Sequence, residues 1–416
     1  MIYDKASLVQ IPSGYKSGTL YSVVPNTADG DFTVTGDPEG EATRVNKDGL
    51  IESVAANVPR LNYDPSNPKD PHLLLEPSRT NQFTNSENLA NIDFKSNSTI
   101  TPDNIIAPNG SLTADKTTQT SAGYLRETVS VSNGTTYSFS VFLKKGDLRY
   151  AVIRSLFSQN GTTPANSNSV FDLDNGSVIY TGNDVVNASI EAYANDWYRC
   201  SFVSLASATS SAPFIDFYFT SSSSGTQSSG TSGFGYGWGM QLEAGSYPTS
   251  YIPTSGSAVT KTQDRCFNGG DANLFNDSEG VLFVDLEALG EGTTTRKISL
   301  SNGNTSFVNF NFNATSGKVS FEFGSTLNSF YILNSTGHTL TNRNKIAIKY
   351  KSGDTDCFIN GTRVTGNNGT FSLSGLDRVN FENRATNGSQ NMFAKIHQLM
   401  VFNEVLSDSE LETLTS

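Results

Sequence analysis

The amino-acid sequence predicts an all-β protein, an extended N-terminal arm followed by two β-sandwich (jelly-roll) domains. Of 416 residues 16% are charged, 11% are aromatic and 36 are glycine, with Ser, Thr and Asn dominating the polar residues. That is the composition of short strands joined by many tight turns. Segments of alternating polar and apolar residues recur along most of the chain, as half-buried strands require. Between them lie turn signals such as Asn133-Gly134, Asn160-Gly161 and Asn175-Gly176. The length exceeds one ordinary core, so two or three domains are expected.

Residues 1–80 form the first unit. Val45, Leu50, Ile51, Val54, Val58, Leu61 and Leu73 to Leu75 are apolar, but they make neither a long helical stripe nor a strict alternation. Pro59, Pro65, Pro68, Pro71 and Pro77 each fix φ and remove a backbone donor, so this chain should run extended and lean on a neighbouring domain or on another copy. A short strand is expected at 20–24, and edge-capping of the following domain is the alternative to an outward arm. From 81 to 254 the pattern becomes regular. Strands are expected at 136–143, 150–157, 169–173, 197–203, 214–219 and 234–242, with the serine tract 221–233 as a mobile loop. Residues 255–276 act as a connector. The second sandwich, 277–416, has expected strands at 280–287, 297–300, 306–312, 318–323, 344–350, 356–360 and 392–402. Alternation is plainest in Val308-Asn309-Phe310-Asn311-Phe312, read as one wet and one dry face. Ser407 with Glu410 three residues on predicts a capping box that opens a terminal helix.

Several motifs carry resemblances. GDFTVT, ATRVNKDGLIE, VPRL and LLLEPSRTN, in this order, resemble the N-terminal region of tailed-phage virion proteins, chiefly tail-fibre and head-fibre appendages. The resemblance implies docking to other virion proteins and homotrimerisation. Tyr3, Leu8, Ile11, Tyr15, Leu20, Arg44 and Arg60 are the candidate docking residues. FDLDNGSV, ANDWYRCSF and GYGWGMQLEAGSYPTSYIPTSG look like the carbohydrate-binding-module type of jelly roll found in phage fibres. The stretch 342–350 leading through CFINGTRV, and AKIHQLMVFNEVLSDSELETL, are similar to concanavalin A-like or laminin-G-like jelly rolls. Such domains sometimes hold calcium at a rim, which Asp354 and Asp356 would form here, although turn formation explains both. The metal is otherwise unknown and no cofactor is indicated.

Charge and motif content exclude several chemistries. With Lys+Arg 28 against Asp+Glu 40, the net charge of −12 repels a polyanion, so nucleic acid is not an expected partner. No apolar run is long enough for a signal peptide or membrane insertion, which suits cytoplasmic synthesis in a bacterial host and release into a virion at lysis. Cys200, Cys266 and Cys357 fit neither a disulfide framework nor a zinc site and read as unpaired structural thiols. His72, His338 and His397 suggest no catalytic set, and each reads as a surface or strand-packing residue. Asp172 with Asp174, or Glu287 with Glu291, could be nominated as a glycosidase pair, yet turn and surface roles account for them. No residue is expected to be catalytic. Glycan adhesion at the host surface needs aromatic platforms beside polar side chains, for which Tyr124, Tyr236, Trp238 and Tyr331 are the candidates. Trp197 and Tyr198 are expected in the core, and Trp238 shares that alternative. Two other functions remain open: a purely structural capsid decoration protein and a polysaccharide depolymerase.

Overall fold

The computed structural model describes the whole chain except residues 1, 37–40, 158–166, 207–212, 225–229, 291–294, 314–317, 325–327, 333–338 and 368–369. The architecture is all-β: two sandwiches, with the terminal helix Asp408–Thr415 closing the second. Among the described residues no helix is long and apolar enough to cross a membrane.

The first sandwich is a ten-stranded antiparallel sheet folded over on itself. The fold-over happens in the strand Ala114–Thr128, whose first half pairs with Gly233–Ala244 and whose last residues pair with Phe214–Thr220. Gly123 sits at this corner because a Cβ there would lie 2.6 Å from the Gln119 Cβ and 2.9 Å from the Asn97 carbonyl. One layer then runs Ser177–Thr181, Asn168–Asp172, Tyr150–Ser155 and Phe214–Thr220, and the other Gly233–Ala244, Thr136–Lys145, Trp197–Leu205 and Val185–Tyr193. Between them Phe139, Val141 and Leu143 meet Ile153, Phe171, Phe217 and Phe219, all fully buried. Each such side chain contributes roughly 1.5–3 kcal/mol by leaving water.

The hairpin Phe94–Ile105 with Ala114–Thr128, and the strands Ser177–Thr181 and Val185–Tyr193, have no counterpart in the strands expected from sequence. Ser177–Thr181 and Val185–Tyr193 are the end strands of the sheet and Phe94–Ile105 pairs with Ala114–Thr128 off its main path, whereas Ala114–Thr128 itself is central. Phe94–Ile105 has no buried residue and Val185–Tyr193 only one, so neither carries the apolar alternation that betrays a strand.

In the second sandwich, Glu279–Ala288, Asn344–Lys351, Thr355–Ile359, Thr362–Asn367 and Ala394–Phe402 face a five-stranded layer built on Arg296–Ser301, Phe307–Asn313 and Lys318–Phe323. Val308, Phe310 and Phe312 point into the core as expected. Asn309 and Asn311, however, are also buried, not wet: Asn309 donates to Glu322 at 3.1 Å and Asn311 to Ser320 at 3.3 Å. The capping box forms, with Ser407 accepting from the Glu410 amide and the Glu410 side chain accepting from the Ser407 amide.

The first eighty residues do not stand apart. One edge of Ala394–Phe402 pairs with Glu279–Ala288, and the other is shared by two N-terminal pieces: Leu8–Gln10 opposite residues 399–401, and residues 73–75 opposite 394–396. Leu8, Leu20, Phe32, Leu61, Leu73 and Leu75 lie in the same core as Leu282, Ile348 and Leu399. Phe32–Thr35 pairs with Arg265–Phe267, and Arg79–Asn81 with Val259–Lys261. The proline-rich chain is extended, and the surface it leans on is the C-terminal sandwich of its own chain.

Candidate functional site

The outer face of the layer Ser177–Thr181, Asn168–Asp172, Tyr150–Ser155, Phe214–Thr220 gathers chemistry that the core does not need. Alternate residues of these strands, Ile153, Phe171, Phe217 and Phe219, point inward. The others must therefore point outward. The register aligns them in rows: Tyr180, Val170, Val152 and Tyr218 form one, flanked by Asn168, Arg154, Asp216 and Arg126 on one side and by Asp172, Tyr150 and Thr220 on the other. Val152, Val170 and Tyr218 are buried beneath the half-exposed rings of Tyr124, Tyr150 and Tyr180.

Guanidinium groups lie among these rings. Asp216 accepts from Arg126 Nη2 at 2.7 Å and from Arg154 Nε at 2.8 Å. The Arg126 guanidinium also stacks 3.4 Å from the Phe214 centroid and 4.8 Å from that of Tyr124. Phe94, 55% exposed, extends the stack with its ring 6.4 Å from Tyr124. Arg149 binds Asp172 through two hydrogen bonds of 2.9 and 2.6 Å and lies 5.0 Å from the Tyr150 ring. Those bonds lower the Asp172 carboxyl to about 2. Burial pushes the Tyr218 hydroxyl well above its ordinary range. The face thus offers apolar ring surfaces beside fixed donors and acceptors.

The four glycan candidates fall in different places. Tyr124 belongs to this face. Trp238 is fully buried, its indole N–H donating to Thr113 Oγ1 at 3.1 Å, so it packs like Trp197 and offers no platform. Tyr236 is half-buried beside Phe234, away from Tyr124 and packed on the Trp197–Trp238 cluster. Tyr331 is on the strand Asn328–Ile332, and its side chain lies outside the described residues. Phe94, Tyr150 and Tyr180 escaped sequence reasoning because only the strand register shows that they share a face.

Of the docking candidates, Tyr3 is exposed. Leu8 and Leu20 are core residues, while Ile11 and Tyr15 pack at the margins of the core. Arg44 pairs with Glu52 at 2.7 Å and lies over Tyr15. Arg60 is buried: its Nη1 donates to Glu76 at 2.7 Å and its Nε to Asp264 at 3.1 Å, with Lys261 completing the cluster. Asn81 of the SRTN motif is buried too, donating to the carbonyls of Met240 and Ile252. These motif residues tie the N-terminal segment to the connector and to the first sandwich.

The remaining candidates resolve into ordinary pairings. Asp174 pairs with Lys145, and Glu287 with Lys395 at 2.9 Å, while Glu291 and His338 lie outside the described residues. Asp354 and Asp356 bind Lys349, and Asp356 also takes two hydrogen bonds from Arg363. Among the described residues no group of three or more His, Cys, Asp or Glu could hold a metal. All three cysteines are free and buried.

No protein-family model and no curated protein matches the chain. Solved structures do. The carbohydrate-binding module (CBM40) of Ruminococcus gnavus IT-sialidase bound to α2,3-sialyllactose is 17% identical, covering 36% of this chain and 94% of that one, with a TM-score of 0.31. The NanB sialidase of Streptococcus pneumoniae is 14% identical over 35% of this chain and 25% of its own, TM-score 0.29. A SAP-like pentraxin of Limulus polyphemus is 13% identical over 33% and 70%, TM-score 0.27.

Proposed function

We propose that this protein binds glycans through the tyrosine- and arginine-lined outer face of its first sandwich. The observation that carries the reading is the placement in register of Tyr124, Tyr150 and Tyr180 beside Arg126, Arg154 and Asp216 on an outward sheet face. A pyranose ring presents C–H faces that stack on aromatic rings and a rim of hydroxyls that bond to fixed charges. Arg126 uses Nε and Nη2 on Asp216, which leaves Nη1 at the half-exposed end of the stack. As its setting we propose the surface of a virion, where the chain would serve as a fibre or head-appendage adhesin, assembled as a homotrimer. The motif resemblance of residues 1–80 supports that setting, and weak sites repeated on one particle gain avidity.

The test is a glycan array probed with the full chain and with the double variant Phe94→Ala/Tyr124→Ala, whose rings are at least partly exposed. Loss of stacking should reduce binding at least tenfold. A double variant that binds every glycan as the unaltered chain does would sink the reading. Light scattering checks the trimer, and labelled antibody on imaged particles checks the setting.

A further inference from the structure

A cleft of about 470 Å³ opens where the outer face of the other layer of the first sandwich meets the N-terminal segment and the second sandwich. Tyr193 and Tyr251 line it, and behind them lies the buried aromatic cluster of Phe142, Trp197 and Trp238, with Tyr193 edge-on to Phe142 at 5.0 Å. Glu191 and Arg199 stand directly opposite each other on adjacent strands, so both side chains enter the cleft. Arg199 is 6% exposed, and its Nε and Nη2 both donate to Ser140 Oγ, at 3.2 and 2.9 Å. Among the described residues it forms no ion pair, and neither does Glu191. The Tyr193 hydroxyl lies within hydrogen-bonding reach of both Glu191 and Arg199, and a buried guanidinium with only hydroxyls as polar partners is costly unless something else occupies its remaining donors. The second sandwich closes the opposite wall with the Glu287–Lys395 pair, whose lysine also acts electrostatically on Glu191.

We propose that this cleft is a second binding site, for a neutral saccharide whose neighbouring hydroxyls span Arg199 and Glu191. An anion would satisfy Arg199 but meet the Glu191 carboxylate, and a cation would do the reverse. A hydroxyl satisfies both, accepting from the guanidinium and donating to the carboxylate. The Tyr193 ring and Ile51 supply apolar surface for the sugar's C–H face. The volume lies within the range of small-ligand sites. This site shares no residue with the outer face described above and does not depend on it.

The two tryptophans of the chain both pack in the cluster directly behind Tyr193 and Tyr251, so intrinsic fluorescence reports on this cleft and not on the other face. The full chain is titrated with glucose-, galactose- and mannose-based oligosaccharides, and with glucuronate as a charged control. One or more of the neutral sugars should give a saturable tryptophan change. Glu191→Ala, at an open position in the cleft, should weaken it at least tenfold, and Phe94→Ala/Tyr124→Ala should leave it intact. Four results each overturn the proposal: no saturable change with any neutral sugar, a response to glucuronate alone, an unaltered response in Glu191→Ala, or loss of the response in Phe94→Ala/Tyr124→Ala.

Discussion

Arg60 brings two distant parts of the chain into one buried cluster, with Glu76 from its own N-terminal segment and Lys261 and Asp264 from the connector. Removing its charge leaves two buried carboxylates facing one lysine. Arg60→Met should therefore cost about 3–5 kcal/mol in chemical denaturation. Arg44→Met, which breaks a half-exposed pair with Glu52, should cost no more than about 1 kcal/mol. Arg60 was legible as a special residue from the VPRL motif, but its role was not, because sequence cannot show that Asp264 lies beside it. His72 makes a second prediction. It is buried, its Nε2 lies 3.1 Å from the Asn62 amide nitrogen, and burial lowers its pKa to about 3. Between 6.5 and about 3 the unfolded chain binds a proton that the folded chain refuses, so stability is full above 6.5 and falls with pH through this window. His72→Gln should flatten that part of the stability–pH curve in denaturation measured from pH 7 to 4. An unchanged slope would refute the assignment.

Long strands that bury several large apolar residues on one face were legible, and short strands or strands with few buried apolar residues were missed. Thr136–Lys145 and Phe214–Thr220 announce themselves because Phe139, Val141, Phe217 and Phe219 alternate with outward residues. Phe94–Ile105 lies at the margin of its sheet with polar residues on both faces, so its pairing with Ala114–Thr128 is fixed by backbone bonds and the corner at Gly123. The face formed by Phe94, Tyr124, Tyr150 and Tyr180 was invisible for another reason: the strands of Phe94 and Tyr124 join those of Tyr150 and Tyr180 only through Phe214–Thr220, which is distant from both in sequence. Leu8–Gln10 has only three residues, too few for a periodic signal, yet Leu8 is fully buried opposite Val401. Leu8→Ala should destabilise the second sandwich by about 2–5 kcal/mol, the range for truncating a buried leucine. A cost under about 1 kcal/mol would mean that this edge is not closed by the N-terminus.

At the scale of the molecule, the N-terminal eighty residues and the C-terminal sandwich make one folding unit, with the first sandwich inserted between them. The buried leucines at 8, 20, 61, 73 and 75 share one core with the strands after 279. Residues 79–81 and 259–261 pair at the neck of the insertion. Without the N-terminal segment, Ala394–Phe402 would expose a long hydrophobic edge, the kind of template that aggregates. A fragment of residues 262–416 should therefore fail to give a cooperative transition, whereas residues 81–254, which hold both layers of the first sandwich and its core, should unfold as a single unit. Co-expression of residues 1–80 with residues 262–416 should restore a cooperative transition, because the missing strands then find their edge. If residues 262–416 alone melt cooperatively as a monomer, the N-terminal segment is an accessory covering and not part of the core.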